Sequence, residues 1–422
     1  MVDNESAIKN VLDLPLRLKH SMAIILSGGK GERLFPLTLH RAKPAVPFGG
    51  HYRIIDFTLS NCVNSSIRKI ALLTQYKSLS LDRHIRQAWS IFNAELGEFV
   101  ITIPPQQRVG EKWYEGTADA VYQNIYVIAN EDPAYLFILS GDHIYKMDYS
   151  EMLAYHLMKG ADCTLAAIEV KKEEATRFGV LQVDEDSRII GFQEKPEKPQ
   201  TIPGNPEYCY VSMGVYLFNT GSLIEELRAD AMKDTEHDFG KNIIPAMIES
   251  KNVYAFSFVD KNKKEVKYWR DIGTLDSYWD ANMDLCAVDP LFDLYDPEWP
   301  IRSYHGQHPP AKFVFAQEFK GGRLGIALDS IVSNGCIISG GRVQNSVLSP
   351  RVRVNSYADV RESILLENVN IGRHCKIKKA IIDKEVSIPE GMTIGYDHEE
   401  DKKKFKVTDG GVVVVPKGIT FD

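Results

Sequence analysis

An α/β domain built on a mostly parallel sheet, followed by a parallel β-helix, is the fold this 422-residue sequence predicts. Three observations carry it. Short apolar strands alternate with helical stretches up to about residue 285, prolines then punctuate the chain from 286 to 324, and beyond about residue 325 single aliphatic residues recur every six positions. Strands alternating with helices require a sheet covered on both faces. A six-residue period with Gly, Asn and Ser between marks a coil whose short strands form successive walls. The length suits two or three domains, and such a chain buries roughly three quarters of its unfolded surface without disulfide or metal staples.

Residues 1–20 read as a polar lead-in. Met22–Leu26 is a buried strand ended by Ser27-Gly28-Gly29, and Ile70–Thr74 and Tyr135–Leu139 repeat the pattern. Leu81, Ile85, Trp89 and Phe92 fall on one helical face. Thr117 is the expected N-cap of a second helix that turns Val121, Ile125 and Ile128 inward. Together these define a domain over 21–285. Asp289-Pro290, Asp296-Pro297, Trp299-Pro300 and Pro309-Pro310 mark a linker over 286–324. In 325–422 three series recur at six: Val354, Val360 and Leu366; Ile371 and Ile377; Ile382, Ile388 and Ile394. An irregular antiparallel sheet would alternate at two instead.

With 50 Lys and Arg against 57 Asp and Glu, the net charge is −7, which argues against a protein that coats nucleic acid. No apolar run approaches the 18 residues of a membrane span. The run after Arg17 and Lys19 is too short for a signal peptide. Six scattered cysteines with no CxxC pair suit reduced thiols and a cytoplasmic location.

The strongest signal follows the first strand: Gly28-Gly29-Lys30-Gly31-Glu32-Arg33-Leu34-Phe35-Pro36-Leu37-Thr38, then Arg41-Ala42-Lys43-Pro44-Ala45. Glycines allow close backbone approach to an anion. A dinucleotide fingerprint would need glycine where Leu34 stands, and a P-loop needs Ser or Thr after Gly-Lys, where this chain has Gly31. A plain glycine turn leaves the charges unexplained: Lys30, Arg33, Arg41, Lys43 and Arg53 face one acid, Glu32, within residues 30–53. A local +4 in an acidic chain points to a polyphosphate site. Asp142 stands just past the strand Tyr135–Leu139, at the edge where ligands bind in open α/β sheets, although a Gly-Asp turn would equally serve its own backbone.

The glycine block resembles the signature of the sugar-nucleotide pyrophosphorylases. Phe48-Gly49-Gly50, Arg53-Ile54-Ile55-Asp56-Phe57, Asn61-Cys62-Val63-Asn64-Ser65, the run Trp113 to Ala120, and Gly141-Asp142-His143-Ile144-Tyr145 narrow the resemblance to the bacterial glucose-1-phosphate adenylyltransferases, over nearly the whole chain. It implies a Rossmann-like catalytic domain, a left-handed β-helix and a homotetramer that feeds α-glucan synthesis. The implied reaction is attack by a glucose 1-phosphate oxygen on the α-phosphorus of ATP, which needs in-line positioning, Mg²⁺ and cations rather than covalent chemistry. Arg33 and Lys43 suit the cationic role, and Asp142 with Asp271 would hold Mg²⁺. The resemblance further implies Tyr114, Gly179, Glu194, Lys195 and Ser212 on glucose 1-phosphate, and Leu26, Gly28, Gly29, Gly31, Gly116 and Thr117 on the nucleotide. In isolation Glu194-Lys195-Pro196 would be a solvated turn, Tyr114 a rim or core aromatic, and Asp271 a partner for Arg270. The attacking phosphate is already ionised, so neither His84 nor His143 is needed as a base.

A pocket for a small anionic effector is implied between the domains, lined by Arg41, Arg53 and Lys378 or Lys379. His40 and Pro47 depart from enterobacterial members, which carry Lys and His there. Three rivals share the fold. A bifunctional uridylyltransferase needs a longer β-helix with an active-site histidine, where this one offers His374. A non-catalytic regulatory subunit is free to lose Arg33, Lys43, Asp142 or Lys195, and all four are present. A relative with another nucleotide or sugar differs only in selectivity.

Overall fold

The computed structural model describes residues 13–106 and 113–421, so most of the lead-in lies outside the described residues. Nine strands form the central sheet among them: β1 (Ser21–Ser27), β2 (Lys69–Thr74), β3 (Phe99–Ile103), β4 (Tyr135–Ser140), β5 (Cys163–Lys171), β6 (Gly179–Val183), β7 (Ile189–Glu194), β8 (Tyr208–Asn219) and β9 (Val253–Ser257). The path runs β7-β6-β8-β4-β1-β2-β3, with β5 between β8 and β9. The half from β4 to β3 is parallel. Its strands are almost wholly apolar because helices cover both faces. Beyond β4, β8 runs antiparallel to β4, β5 and β6, and β6 to β7, while β9 pairs parallel with β5; β8 carries a register shift between Ser212 and Tyr216. Such a bulge re-aims side chains beside a site.

The two predicted helices differ in extent. The first spans Leu79–Ala88 and stops before Trp89 and Phe92. Trp89 is buried all the same, its indole N–H donating to the buried Asp56 carboxylate at 2.9 Å. The second is two short helices, Thr117–Tyr122 and Ile125–Glu131, and its N-cap is Gly116 rather than Thr117. Asn124 interrupts it by donating back to the Ala120 carbonyl at 2.8 Å, the kind of side-chain competition that disfavours asparagine within helices.

The segment after residue 286 is stapled to the first domain. Trp299 donates to Asn61 (2.9 Å), Arg302 N–H to Ser60 (2.8 Å) and Ser303 to Asp56 (2.6 Å). Three sheets, parallel but for the terminal strand Lys406–Val407, then wind into a β-helix, whose first strand, Lys312–Val314, lies within the proline-rich 286–324. Register steps from Arg342 to Asp359 to Lys376, 17 residues per coil. That is one short of three six-residue walls, which is why the aliphatic series slips. Val354, Val360, Ile371, Ile377, Ile382, Ile388 and Ile394 all point into its core. A separate cluster unites Leu34, Leu37 and Phe48 with Ile364, Ile381, Val412 and Val414, so one wall of the β-helix shares a core with the first domain.

Two histidines are held neutral by this packing. Burial lowers His156 to about 4, and burial with the nearby His305 lowers His51 to about 4. Both bind protons more weakly folded than unfolded, so their contribution is full above about pH 6.5 and is lost as pH falls toward about 4. Melting temperature measured across that window is expected to decline with acidification, and His156→Gln is expected to flatten part of the decline. A wild-type profile flat from pH 7 to 4 would contradict this.

Candidate active site

The site opens at the carboxyl ends of the parallel strands. β1 delivers Leu26 and then the glycine loop. Gly31, at φ +64°, turns it into the short 3₁₀ segment Glu32–Leu34, and the Thr38 hydroxyl bonds the Gly31 carbonyl at 2.9 Å. On the far side of a cleft of about 400 Å³ lie Gly116 and Thr117. A Cβ at Gly116 would stand 2.3 Å from the carbonyl oxygens of Glu236 and His237, so only glycine admits that approach. Leu26, Gly28, Gly29, Lys43, Tyr114, Gly116, Thr117 and Asp142 all line the cleft. Gly31 shapes the loop without lining it. The volume falls in the range of small-molecule sites, about 300–1,000 Å³.

Lys43 forms the centre. Its ammonium lies 2.5 Å from Asp142 and 3.2 Å from Asp271. The carboxylates meet because strand Trp269–Asp271 pairs antiparallel with His143–Tyr145, setting Asp271 opposite His143, next to Asp142. Burial disfavours the Lys43 ammonium, but the two carboxylates outweigh it and hold its pKa above the ordinary value. Burial likewise opposes the Asp142 charge, yet Lys43, His143 and the Ser140 hydroxyl together lower its pKa well below the usual carboxylate range. Asp142, His143 and Asp271 bring potential ligand atoms within 4.8 Å of one another. Arg33 is exposed; a Cβ at Gly273 would meet its guanidinium at 3.3 Å and the Asp271 carboxylate at 3.2 Å, which sets both groups over that glycine.

A second half-site gathers Gly179, Glu194, Lys195 and Ser212. A Cβ at Gly179 would lie 3.1 Å from the Glu194 carboxylate, and one at Gly240 would lie 2.7 Å from it, so two glycines cradle that acid. Lys195, at φ +46°, pairs with Glu194 through an exposed ammonium. Ser212 accepts from the Gly214 N–H at 3.2 Å, at the β8 bulge. Tyr114, expected on glucose 1-phosphate, lines the glycine cleft with Gly28 and Gly116, its hydroxyl 3.0 Å from Asn124.

Three residues of the site escaped the sequence reading. Asp238 lines the cleft, accepts from the Thr117 hydroxyl at 2.9 Å and from the Gly240 N–H at 2.9 Å, and so joins the two halves. Tyr216 has its pKa pushed well up by burial, with Asp238 and Glu194 adding to the effect. Gln75 lines the cleft against Gly28. The one local signal was Asp238 before Phe239-Gly240, a helix-start pattern.

The residues expected at an effector pocket divide. Arg53 lines a cavity of about 380 Å³ between the domains, together with His51, His305, His308, Glu367 and Lys384. Arg41 does not line it: the side chain is buried, with both terminal nitrogens donating to Asp383 at 2.9 and 3.1 Å. Lys378 and Lys379 also lie outside it, and Lys379 sits 4.9 Å from the Trp279 ring centre. Lys378 belongs to a different β-helix wall, whereas Lys384 follows the wall strand Ala380–Ile382, which contributes Ile381 to the core shared with the catalytic domain.

Comparison with known proteins agrees with this geometry. Residues 22–288 match the Nucleotidyl transferase family, and residues 309–415 match the GlmU-like C-terminal hexapeptide family. The chain is 57% identical to the glucose-1-phosphate adenylyltransferase of Koribacter versatilis over 94% of its length and 95% of the relative. It is 56% identical to that of Rhodopirellula baltica, covering 95% and 91%. Against that of Anaeromyxobacter sp. the identity is 53%, covering 95% and 99%.

Proposed function

The chain belongs to the glucose-1-phosphate adenylyltransferases of the nucleotidyl transferase family, and on that premise we propose that it joins ATP and α-D-glucose 1-phosphate into ADP-glucose and pyrophosphate for glycogen or a related α-glucan. The observation that carries the mechanism is Lys43 held between Asp142 and Asp271 at the mouth of the glycine-lined cleft. A phosphate oxygen of glucose 1-phosphate forms a bond to the α-phosphorus while the bond from that phosphorus to the bridging oxygen of the β-phosphate breaks, and the electron pair leaves with pyrophosphate. Gly28, Gly29, Gly116 and Thr117 hold the nucleotide; Glu194, Lys195, Gly179 and Ser212 hold the sugar phosphate. Lys43 and Arg33 meet the negative charge that builds on the transferring and leaving phosphates.

Asp142 and Asp271 offer the oxygen donors that Mg²⁺ prefers, and their spacing fits a two-carboxylate site. When bound, the ion would neutralise polyphosphate charge. Chelation with EDTA is expected to abolish turnover and added Mg²⁺ to restore it; turnover persisting in excess chelator would contradict the assignment. For the substrates, pyrophosphate release is measured with glucose 1-phosphate and ATP, UTP, dTTP or GTP in turn. ATP is expected to dominate, and UTP far exceeding ATP would overturn the choice.

The cavity lined by Arg53 and Lys384 supports a small anionic effector between the domains. Arg53→Ala is expected to blunt the response to phosphorylated effectors with basal turnover retained, and an unchanged titration would remove Arg53 from that role. Exposed Phe313, Phe315 and Phe319 on the β-helix side support a homotetramer, and six unpaired thiols support a cytoplasmic location.

A further inference from the structure

The loop bearing both catalytic cations is gripped from the β-helix at two points. The Lys406 ammonium donates to the Phe35 carbonyl at 2.9 Å, across 371 residues of sequence. Asp383 holds the Arg41 guanidinium through two buried hydrogen bonds. Phe35 is two residues beyond Arg33, and Arg41 is two residues before Lys43, so each grip stands next to one catalytic cation. Between them Leu37, with Leu34 just before, is fully buried in the cluster that contains Val412 and Val414.

The two grips lie on either side of one strand. Val413–Val415 pairs antiparallel with Lys406–Val407 and parallel with Ala380–Ile382, and the Asp383 N–H bonds the Val415 carbonyl at 2.9 Å. The turn of the same hairpin docks on the helix that follows Asp271: the Thr408 hydroxyl lies 2.5 Å from Asp276, and a Cβ at Gly410 would stand 2.5 Å from that carboxylate. The hairpin over residues 406–415, together with Asp383 beside it, therefore touches the segments leading to or from Arg33, Lys43 and Asp271.

We propose that Lys406 and Asp383 are positioning residues of the transfer reaction, holding from the β-helix the loop that presents Arg33 and Lys43. The proposal rests on the adenylyl-transfer assignment. Its physical basis is that phosphoryl-type transfer depends on placement of charge, and a displacement of about 1 Å can cost up to ~10²-fold in rate. Lys406 is exposed, so its hydrogen bond adds little to folding stability and its removal separates positioning from stability.

The test uses the full chain with Lys406→Met, Lys406→Arg and, as a control on the neighbouring surface, Lys403→Met. Lys406→Met is expected to lower kcat about tenfold with an unchanged melting temperature and faster hydrogen exchange in residues 31–38. Lys406→Arg keeps a donor at the same reach and should recover most of the rate, while Lys403→Met should behave as wild type. Wild-type kcat and unchanged exchange in Lys406→Met would overturn the proposal. If the wild-type chain makes no ADP-glucose while Lys406→Met still loosens 31–38, the assigned reaction fails and the grip itself stands.

Discussion

Lys43→Met is expected to lower kcat by roughly 10²–10³-fold, the cost of removing one preorganised charge from a site where negative charge develops. The substitution keeps most of the side-chain volume and removes the ammonium that lies between Asp142 and Asp271. Two carboxylates then face each other without their cation, so Asp142 should lose much of what holds its pKa down. The sign follows from linkage. In wild type the depressed Asp142 pKa contributes stability above the ordinary carboxylate value of about 4, and that stability is lost as pH falls toward the lower folded value. Lys43→Met should shrink this contribution. Steady-state kinetics with both substrates varied checks the rate effect. A loss confined to KM, with kcat preserved, would mean that Lys43 binds ground state and transition state alike.

The largest stability effect is expected from Asp383→Ala. It leaves the buried Arg41 guanidinium without its bidentate partner, and breaking such a pair costs about 3–5 kcal/mol. In a chain of this size that should lower the melting temperature by several degrees or more. Replacing both partners with apolar residues, Arg41→Met with Asp383→Leu, should cost less than the single change, since no buried charge is then left unpaired. Thermal melts of the full chain decide it. A single variant as stable as wild type would mean that water reaches Arg41 and the domain junction is looser than its packing indicates.

Much of the fold was legible because its signals are local. β1, β2 and β4 are apolar runs ended by turn residues, and the six-residue spacing of Val354, Val360, Ile371 and Ile377 reports the β-helix walls directly. The site was legible where a motif lies on one loop, as for Gly28, Gly29, Arg33 and Lys43. It was illegible where two distant segments must meet. Nothing local in Trp269-Arg270-Asp271 says that it pairs with His143–Tyr145, the pairing that sets Asp271 beside Lys43, so only the family resemblance named Asp271. Asp238 bridges the half-sites through Thr117, 121 residues away. Lys378 and Lys379, expected beside Arg53 in a pocket between the domains, lie outside the cavity that Arg53 lines: the 17-residue coil brings Lys384 to it instead. Helix ends were misjudged where a side chain competes with the backbone, as Asn124 does.

On the proposed reading the two domains act together, with the β-helix holding the loop from which Lys43 would reach the phosphates. The most direct measurement of the central claim follows label from ATP carrying it at the α-phosphorus, incubated with glucose 1-phosphate and Mg²⁺. Wild type should transfer the label quantitatively into ADP-glucose, with unlabelled pyrophosphate released in equal amount, and Lys43→Met should do so at roughly a hundredth to a thousandth of the rate. Label left in a free nucleotide, or transfer by Lys43→Met at the wild-type rate, would contradict the account.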